Sequence, residues 1–491
     1  MPREPVVCAT VLPARRMIHM SMQSEQSMAP TVMRPTRVRH WVLVFAATLS
    51  IITYIDRVCI SKFAPAIKTE LVLTDVQMGW VFAAFAWAYA LFEIPGGWLG
   101  DKIGPRKVLM RVVIMWSVFT AATGWAWNLV SLLIARFFFG AGEAGCYPNL
   151  AKAFTNWLPG HERRRAASVM WLSARWGGAV TPLLVVWLFY TVGWRRAFEI
   201  FAAVGVVWAI VFYWWFRDHP REHASVNAAE LELLKDAHGA SPGHARVPWA
   251  RLLATPTIWL LFIQYFCFGY GWYFYITWLP TYLAEARGVD LKTSPLLAWI
   301  PRVLEGQFTP EVVKEVQLAL LAGIPLFFGG LGCIASAWLA TWLTRRGLNV
   351  GPVRRWIAVG GYWGAGAMLL LSPRIADPAL GMLAMGLASF SLDLALIICW
   401  DTCMSVGGKY AGTVSGTMNM AGQLAGVAAP VVVGYILQYM NRDWLLTFLI
   451  SSIIYFVGGL CWLWIDPVTP LRGDEEAAPP AGFEVLPRKT V

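Results

Sequence analysis

Four ionisable side chains stand inside runs that are otherwise apolar: Asp56 and Arg57 in "ITYIDRVCIS", Arg136 and Glu143 in "ARFFFGAGEAGCYPN". A charge facing lipid is expensive, so these groups must face a cavity or one another. Arg136 and Glu143 are seven residues apart, about two turns along one helix face. Counting about 1.5 Å per residue from Trp41 puts Asp56 on the order of 22 Å into its helix, past the middle of a bilayer, and Arg136 reaches a comparable level from the other side. Two acids and two bases thus meet at one depth.

The chemistry this permits is linkage between a proton and an anion. Burial strengthens a carboxylate's hold on its proton and a neighbouring arginine weakens it, so a site whose arginine can be drawn away has two different proton affinities. The expectation is that protonation of Asp56 and Glu143 frees Arg57 and Arg136 to hold the carboxylate of an organic anion, which a guanidinium meets at two points. The alternative is a permanent ion-pair lattice that fixes the helices. Tyr54 and Tyr89 could bond substrate hydroxyls, with Trp400, Asn419 and Gln423 added from the second half of the chain; for the aromatics, helix packing is an equal reading. Asn419 and Gln423, four apart, share a face. Arg175 is a third base, suited to a dianion or a bulkier acid, or else paired with Glu93 or another acid. Glu93 and Asp393 are further intramembrane acids that leave sodium coupling open.

Helices must carry these groups. The chain has 491 residues, 57% hydrophobic and 14% charged, too apolar for a soluble protein of this length. Stretches of about 20 apolar residues fall at 41–62, 77–99, 107–127, 130–151, 167–190 and 196–216, then at 257–284, 323–344, 355–373, 378–404, 412–438 and 443–465. They predict an all-α membrane protein of twelve transmembrane helices in two six-helix bundles. Residues 1–40 read as a disordered cytoplasmic tail without a secretory signal, and its methionines, ending at Met33, allow a downstream start. Residues 218–256 read as a cytoplasmic loop with a short amphipathic helix near Ala228–Ala237, and 466–491 as a cytoplasmic tail. An extracytoplasmic insertion at 288–322 carries "TPEVVKEVQLALL", a helix begun by Thr309 and Pro310 and lying outside the membrane as a lid or a tolerated insertion.

The net charge of +11 comes from basic residues at alternating loops, including Lys102, Arg106, Lys107, Arg163 to Arg165, Arg345, Arg346, Arg354 and Arg355. This is the positive-inside pattern with both termini cytoplasmic, not a nucleic-acid footprint. The eight cysteines have no metal-ligand spacing and read as packing residues. No metal site and no cofactor is expected.

The halves repeat each other. "AASVMWLSARWGGAVTP" (166–182) and "VSGTMNMAGQLAGVAAP" (414–430) align without gaps, pairing Arg175 with Gln423, Gly178 with Gly426 and Pro182 with Pro430. "GGWLGDKIGPRK" (96–107) matches "SAWLATWLTRRG" (336–347) more loosely, with Thr341 where Asp101 stands. Such pseudo-two-fold repeats build secondary transporters that bind their ligand near the midplane and alternate access by rocking.

The run Gly97 to Lys107 resembles the signature loop between spans 2 and 3 of the major facilitator superfamily. Within it, "YIDR", "ARFFFGAGEAGCYPN", "NWLPGHERRRAAS", "DHPREH" and "WYFYITWLPTYL" are similar to the anion:cation symporters that carry sugar acids such as hexuronates, galactonate or glucarate. The resemblance covers nearly the whole chain. It implies proton-coupled uptake of an organic anion, with Asp56 and Glu143 as coupling acids and Arg57 and Arg136 as anion-binding bases. It also implies a cytoplasmic latch built by Gly97, Asp101, Lys102, Gly104, Arg106 and Lys107. The expected protein is a monomer of a bacterial inner membrane whose partners are an anionic small molecule and lipid. An enzyme is not expected, since no nucleotide loop, metal cluster or nucleophile motif occurs. A solute receptor built on a transporter scaffold is the rival of another class, and a polyspecific exporter is disfavoured by the arginines.

Overall fold

A computed structural model describes residues 34–234, 253–287, 294–304, 308–407 and 411–469, without the side chains of Asp101, His161, Arg164 and Ala411. Most of the first tail, the second half of the central loop, parts of the 288–322 insertion and most of the last tail therefore lie outside the described residues.

Span 1 is Val38–Leu71, span 2 Asp75–Ile103 and span 3 Pro105–Gly124. Span 4 comes in two pieces, Leu129–Glu143 and Cys146–Trp157, because Gly145 turns the backbone at φ 88°. Spans 5 and 6 form one run, Gly160–Trp215, broken at Gly193 with φ 78°. Span 7 is Pro256–Thr277, continued by Leu279–Tyr282 and a π turn at Leu283–Arg287. Spans 8 to 12 are Pro310–Arg345, Val350–Leu371, Pro378–Gly407, Ala411–Tyr439 and Trp444–Trp464. Among the described residues, nine of these stretches, with spans 5 and 6 counted as one, are long and apolar enough to cross a membrane. Spans 7 and 9, of 22 residues each, have the length but dilute their apolar character with Tyr, Gly and Arg.

Side chains start several helices where the first backbone N–H groups lack partners. Thr74 with Gln77 and Asn128 with Ser131 form reciprocal capping boxes at spans 2 and 4. Proline opens spans 3, 7 and 8. The helix begun by Thr309 and Pro310 is present, but it runs without a break to Arg345. It is the first part of span 8 rather than a separate lid, since nothing in "LALLAGIPLFF" stops the helix except Pro325, which is absorbed within it.

Between the halves, span 2 packs along span 11 and span 5 along span 8. The crossings bring backbones together: a Cβ on Gly79 would lie 2.7 Å from the Pro430 carbonyl oxygen, and one on Gly323 2.4 Å from that of Ala179. An even number of spans puts the start of span 1 and the end of span 12 on one face. On the opposite face the halves are joined by charge. Arg442, after span 11, reaches Asp75 at 3.1 Å and also holds Glu285 at the end of span 7, with Nε 3.0 Å from its carboxylate. Lys62 pairs with Glu315 at 2.5 Å.

The described part of the tail begins at Arg34 and is tied to the central loop. Asn227 Nδ2 donates to the Arg34 carbonyl, and the Thr36 hydroxyl donates to Glu230 at 2.5 Å. Glu230 sits on the short helix Ala228–Leu233 and is fully buried. It accepts from the N–H groups of Val38 and Arg39 and from the Arg39 guanidinium at 3.0 Å, so the central loop supplies a carboxylate to the start of span 1. Residues 34–40 thus belong to the first bundle and not to the tail.

Candidate functional site

Successive residues of an α-helix point about 100° apart, so Asp56 and Arg57 cannot face the same way. Arg57 turns into a chamber between the halves, lined from the expected set by Tyr54, Arg57, Tyr89, Arg175, Asn419 and Gln423. Its guanidinium lies over the rings of Tyr54, Phe85, Tyr89 and Tyr147 at 5.0–5.9 Å. Behind it stands Glu143, fully buried, with Oε1 2.5 Å from Arg57 Nε and Oε2 without a partner. The break at Gly145 ends the helix at Glu143 and lets the next turn bring Tyr147 onto the chamber.

Asp56 faces the other way and is 2% exposed. Neither of its carboxylate oxygens makes a hydrogen bond, and its charged neighbours are Glu143 and Arg136. Arg136 does not line the chamber. Its guanidinium lies over Phe139 at 4.4 Å and Phe85 at 5.5 Å, the same Phe85 that Arg57 covers from the chamber side. The four charges therefore comprise one bonded pair, Arg57 with Glu143, and two further buried groups, Asp56 and Arg136, which are near Glu143 as well as each other but make no ion pair together, with Phe85 near both guanidiniums.

Arg175, from span 5, is 2% exposed and ion-pairs across the halves with Asp393 of span 10, Nη2 to Oδ1 at 2.7 Å. The partner is Asp393, not Glu93. Glu93 instead accepts from Asn419 Nδ2, a second bond between halves. Both extra carboxylates thus have protein partners, and no cluster of metal-ligating side chains occurs among the described residues. Gln423 accepts from the Tyr273 hydroxyl. Trp400 stands one step back from the lining, donating to the Tyr265 hydroxyl at 3.1 Å.

The repeat read from the sequence is visible in the packing. Gly178 lies against Tyr54 of span 1 and its counterpart Gly426 against Tyr273 of span 7, each leaving room for a ring where a Cβ would clash or crowd. Arg175 and Gln423 then occupy corresponding places on the chamber wall. Sequence reasoning missed Tyr147, Trp171, Tyr265, Trp272 and Tyr273 as lining residues. "WYFYITWLPTYL" held two of them, but its aromatics give no sign of which ones turn inward.

At the loop after span 2, Gly104 adopts φ 87° and Asp218 occupies the space a Cβ would need. The Asp218 carboxylate accepts from the Arg106 N–H at 2.8 Å, and Arg106 caps the end of span 6 through the Tyr213 carbonyl at 2.6 Å. Burial raises the Asp218 carboxyl above its ordinary range, against the pull of that N–H. Arg106 is thus tied within its own half. Gly97 packs on Pro148, Lys102 lies over Trp98 at 5.2 Å, and Lys107 is exposed. The Asp101 side chain lies outside the described residues.

Twelve membrane helices in two pseudo-symmetric halves around a central polar and aromatic chamber define a secondary-transporter fold. The sequence profile of the Major Facilitator Superfamily matches residues 46–430, and the chain belongs to that superfamily. It is 36% identical over 446 residues to the probable sulfoacetate transporter SauU of Cupriavidus necator, covering 90% of this chain and 97% of that one. It is 29% identical to the D-galactonate transporter of Escherichia coli, covering 82% and 90%. With the probable galactarate/D-glucarate transporter GudP of Escherichia coli it shares 31% over 57% of this chain and 66% of the relative. Among solved structures, a bacterial homologue of the human lysosomal transporter Spinster, in an inward-facing and occupied conformation, superposes with a TM-score of 0.64 at 17% identity, covering 88% and 98%. This last likeness concerns the fold.

Proposed function

We propose that the protein takes up an organic anion, of the sugar-acid type or a similarly small acid, together with protons by alternating access. The observation that carries this reading is Arg57, exposed to the chamber on one side and neutralised by Glu143 on the other. With Glu143 ionised, Arg57 is satisfied internally; with Glu143 protonated, its charge is available to a carboxylate or sulfonate. Substrate and proton then strengthen each other's binding. Asp56 is the second proton site, and Arg136, shielded by Phe85, acts on Asp56 rather than on the substrate. Tyr54, Tyr89, Asn419 and Gln423 supply hydrogen bonds to hydroxyls, and Trp400 steadies Tyr265 at the rim.

Relatives named as sulfoacetate, galactonate and galactarate/glucarate transporters support an anionic substrate and a transporter rather than an enzyme. Protons suit the coupling role better than sodium, because Glu93 and Asp393 already hold protein donors. The positive-inside pattern supports cytoplasmic termini. Counterflow in proteoliposomes across hexuronates, aldonates, aldarates and sulfonates, with and without an inwardly directed pH gradient, tests the proposal. Accumulation above equilibrium only with the gradient is expected; binding without any flux would make it a receptor, and indifference to pH would remove proton coupling.

A further inference from the structure

We propose that Arg175 is a second anion anchor, so that the chamber selects organic dianions with one acidic group held by Arg57 and the other by Arg175. This rests on the anion-transport reading above. Arg175 lines the chamber with its guanidinium 4.9 Å from the Trp272 ring centroid. Asp393 takes Nη2 at 2.7 Å, Nη1 lies 3.4 Å from the Tyr54 hydroxyl, and Nε makes no hydrogen bond. A guanidinium offers its N–H donors in one rigid plane. Asp393 therefore fixes the plane and compensates the charge from one edge while donor capacity remains for a ligand. Nε is itself buried, with Cys333 nearby, so the edge left for a ligand is Nη1, which is held only by its long contact to the Tyr54 hydroxyl.

The spacing narrows the ligand. Tyr54 touches both bases, its ring under Arg57 at 5.6 Å and its hydroxyl beside Arg175. Two guanidiniums against one tyrosine suit a ligand that carries two acidic groups. The other half of the chamber gives no such charge, since the repeat places neutral Gln423 where Arg175 stands. Asp393 is a positioning residue, seated in space that Gly329 leaves open: a Cβ there would lie 2.3 Å from Asp393 Oδ2.

The test is competition in counterflow by purified protein in proteoliposomes, using pairs that differ by one acidic group: aldarate against aldonate, succinate against butyrate, sulfoacetate against acetate. Wild type should prefer the dianion of each accepted pair by at least about tenfold. Arg175→Gln should abolish that preference while moving monoanion competition by less than about threefold, and Arg175→Lys should retain part of it. Should Arg175→Gln fail to fold, the Arg175→Gln/Asp393→Asn double variant, which strands no charge, carries the same comparison. Wild type without dianion preference, or variants that weaken both members of each pair equally, would overturn the inference. If no organic anion exchanges in wild type, the anion-transport reading itself fails instead.

Discussion

Glu143 lies directly behind Arg57, bonded to it through one carboxylate oxygen and leaving the other without a partner. The contact joins span 1 to the end of the first piece of span 4, and it puts the proposed proton site and the proposed anion site in one hydrogen bond.

Glu143→Gln should uncouple the two. Lowering the pH should tighten substrate binding in wild type, because protonated Glu143 releases Arg57; in the variant the binding curve should be flat with pH. Uptake driven by a pH gradient should fall at least about tenfold while counterflow stays within about threefold. Radiolabelled uptake and counterflow on the same vesicles distinguish these rates, and full gradient-driven accumulation would remove Glu143 from the coupling role.

Asp56 and Arg136 should behave as a unit apart from substrate. Arg136→Gln removes a buried positive charge near both Asp56 and Glu143 and should impair gradient-driven uptake severely, but substrate competition in exchange should change by less than about threefold. A large loss of substrate affinity in Arg136→Gln would instead return Arg136 to the anion site. Asp56→Asn should lose gradient-driven uptake and keep exchange.

Glu230→Gln should lower the stability of the first bundle by about 2 kcal/mol, because it weakens the charge-assisted bonds to Thr36, Arg39 and the two N–H groups at the start of span 1. A thermal melt in detergent reads this directly. An unchanged melt would mean the docked helix contributes nothing to the fold.

Arg442→Ala removes the ties to Asp75 and Glu285 on the face away from the termini. The seam there should open more often. A cysteine at Val431, which lies against Gly79, should react faster with an impermeant maleimide in Arg442→Ala than in the parent protein, and equal rates would show the clamp is idle.

The helices were legible because a membrane span is a one-dimensional signal of length and apolarity, and the repeat was legible because spans 5 and 11 kept their small residues in register. Orientation around each helix was harder. Arg136 and Glu143 do share a face, as their spacing requires, but Phe85 of span 2 fills the gap in front of Arg136, and a residue on another helix leaves no mark in local sequence. The same reason hid the partner of Arg175: Asp393 is 218 positions away and becomes its neighbour only when the halves pack. The aromatic wall from Trp272 and Tyr273 was present in plain text, yet periodicity cannot rank sides in a helix buried nearly all round.

The short helix Ala228–Leu233 is fastened to the root of span 1. The central loop as far as Leu233 is therefore part of the first bundle, and any tilt of that bundle should carry this stretch along with span 1. A rigid tag inserted within that stretch would report the swing of the first bundle by itself.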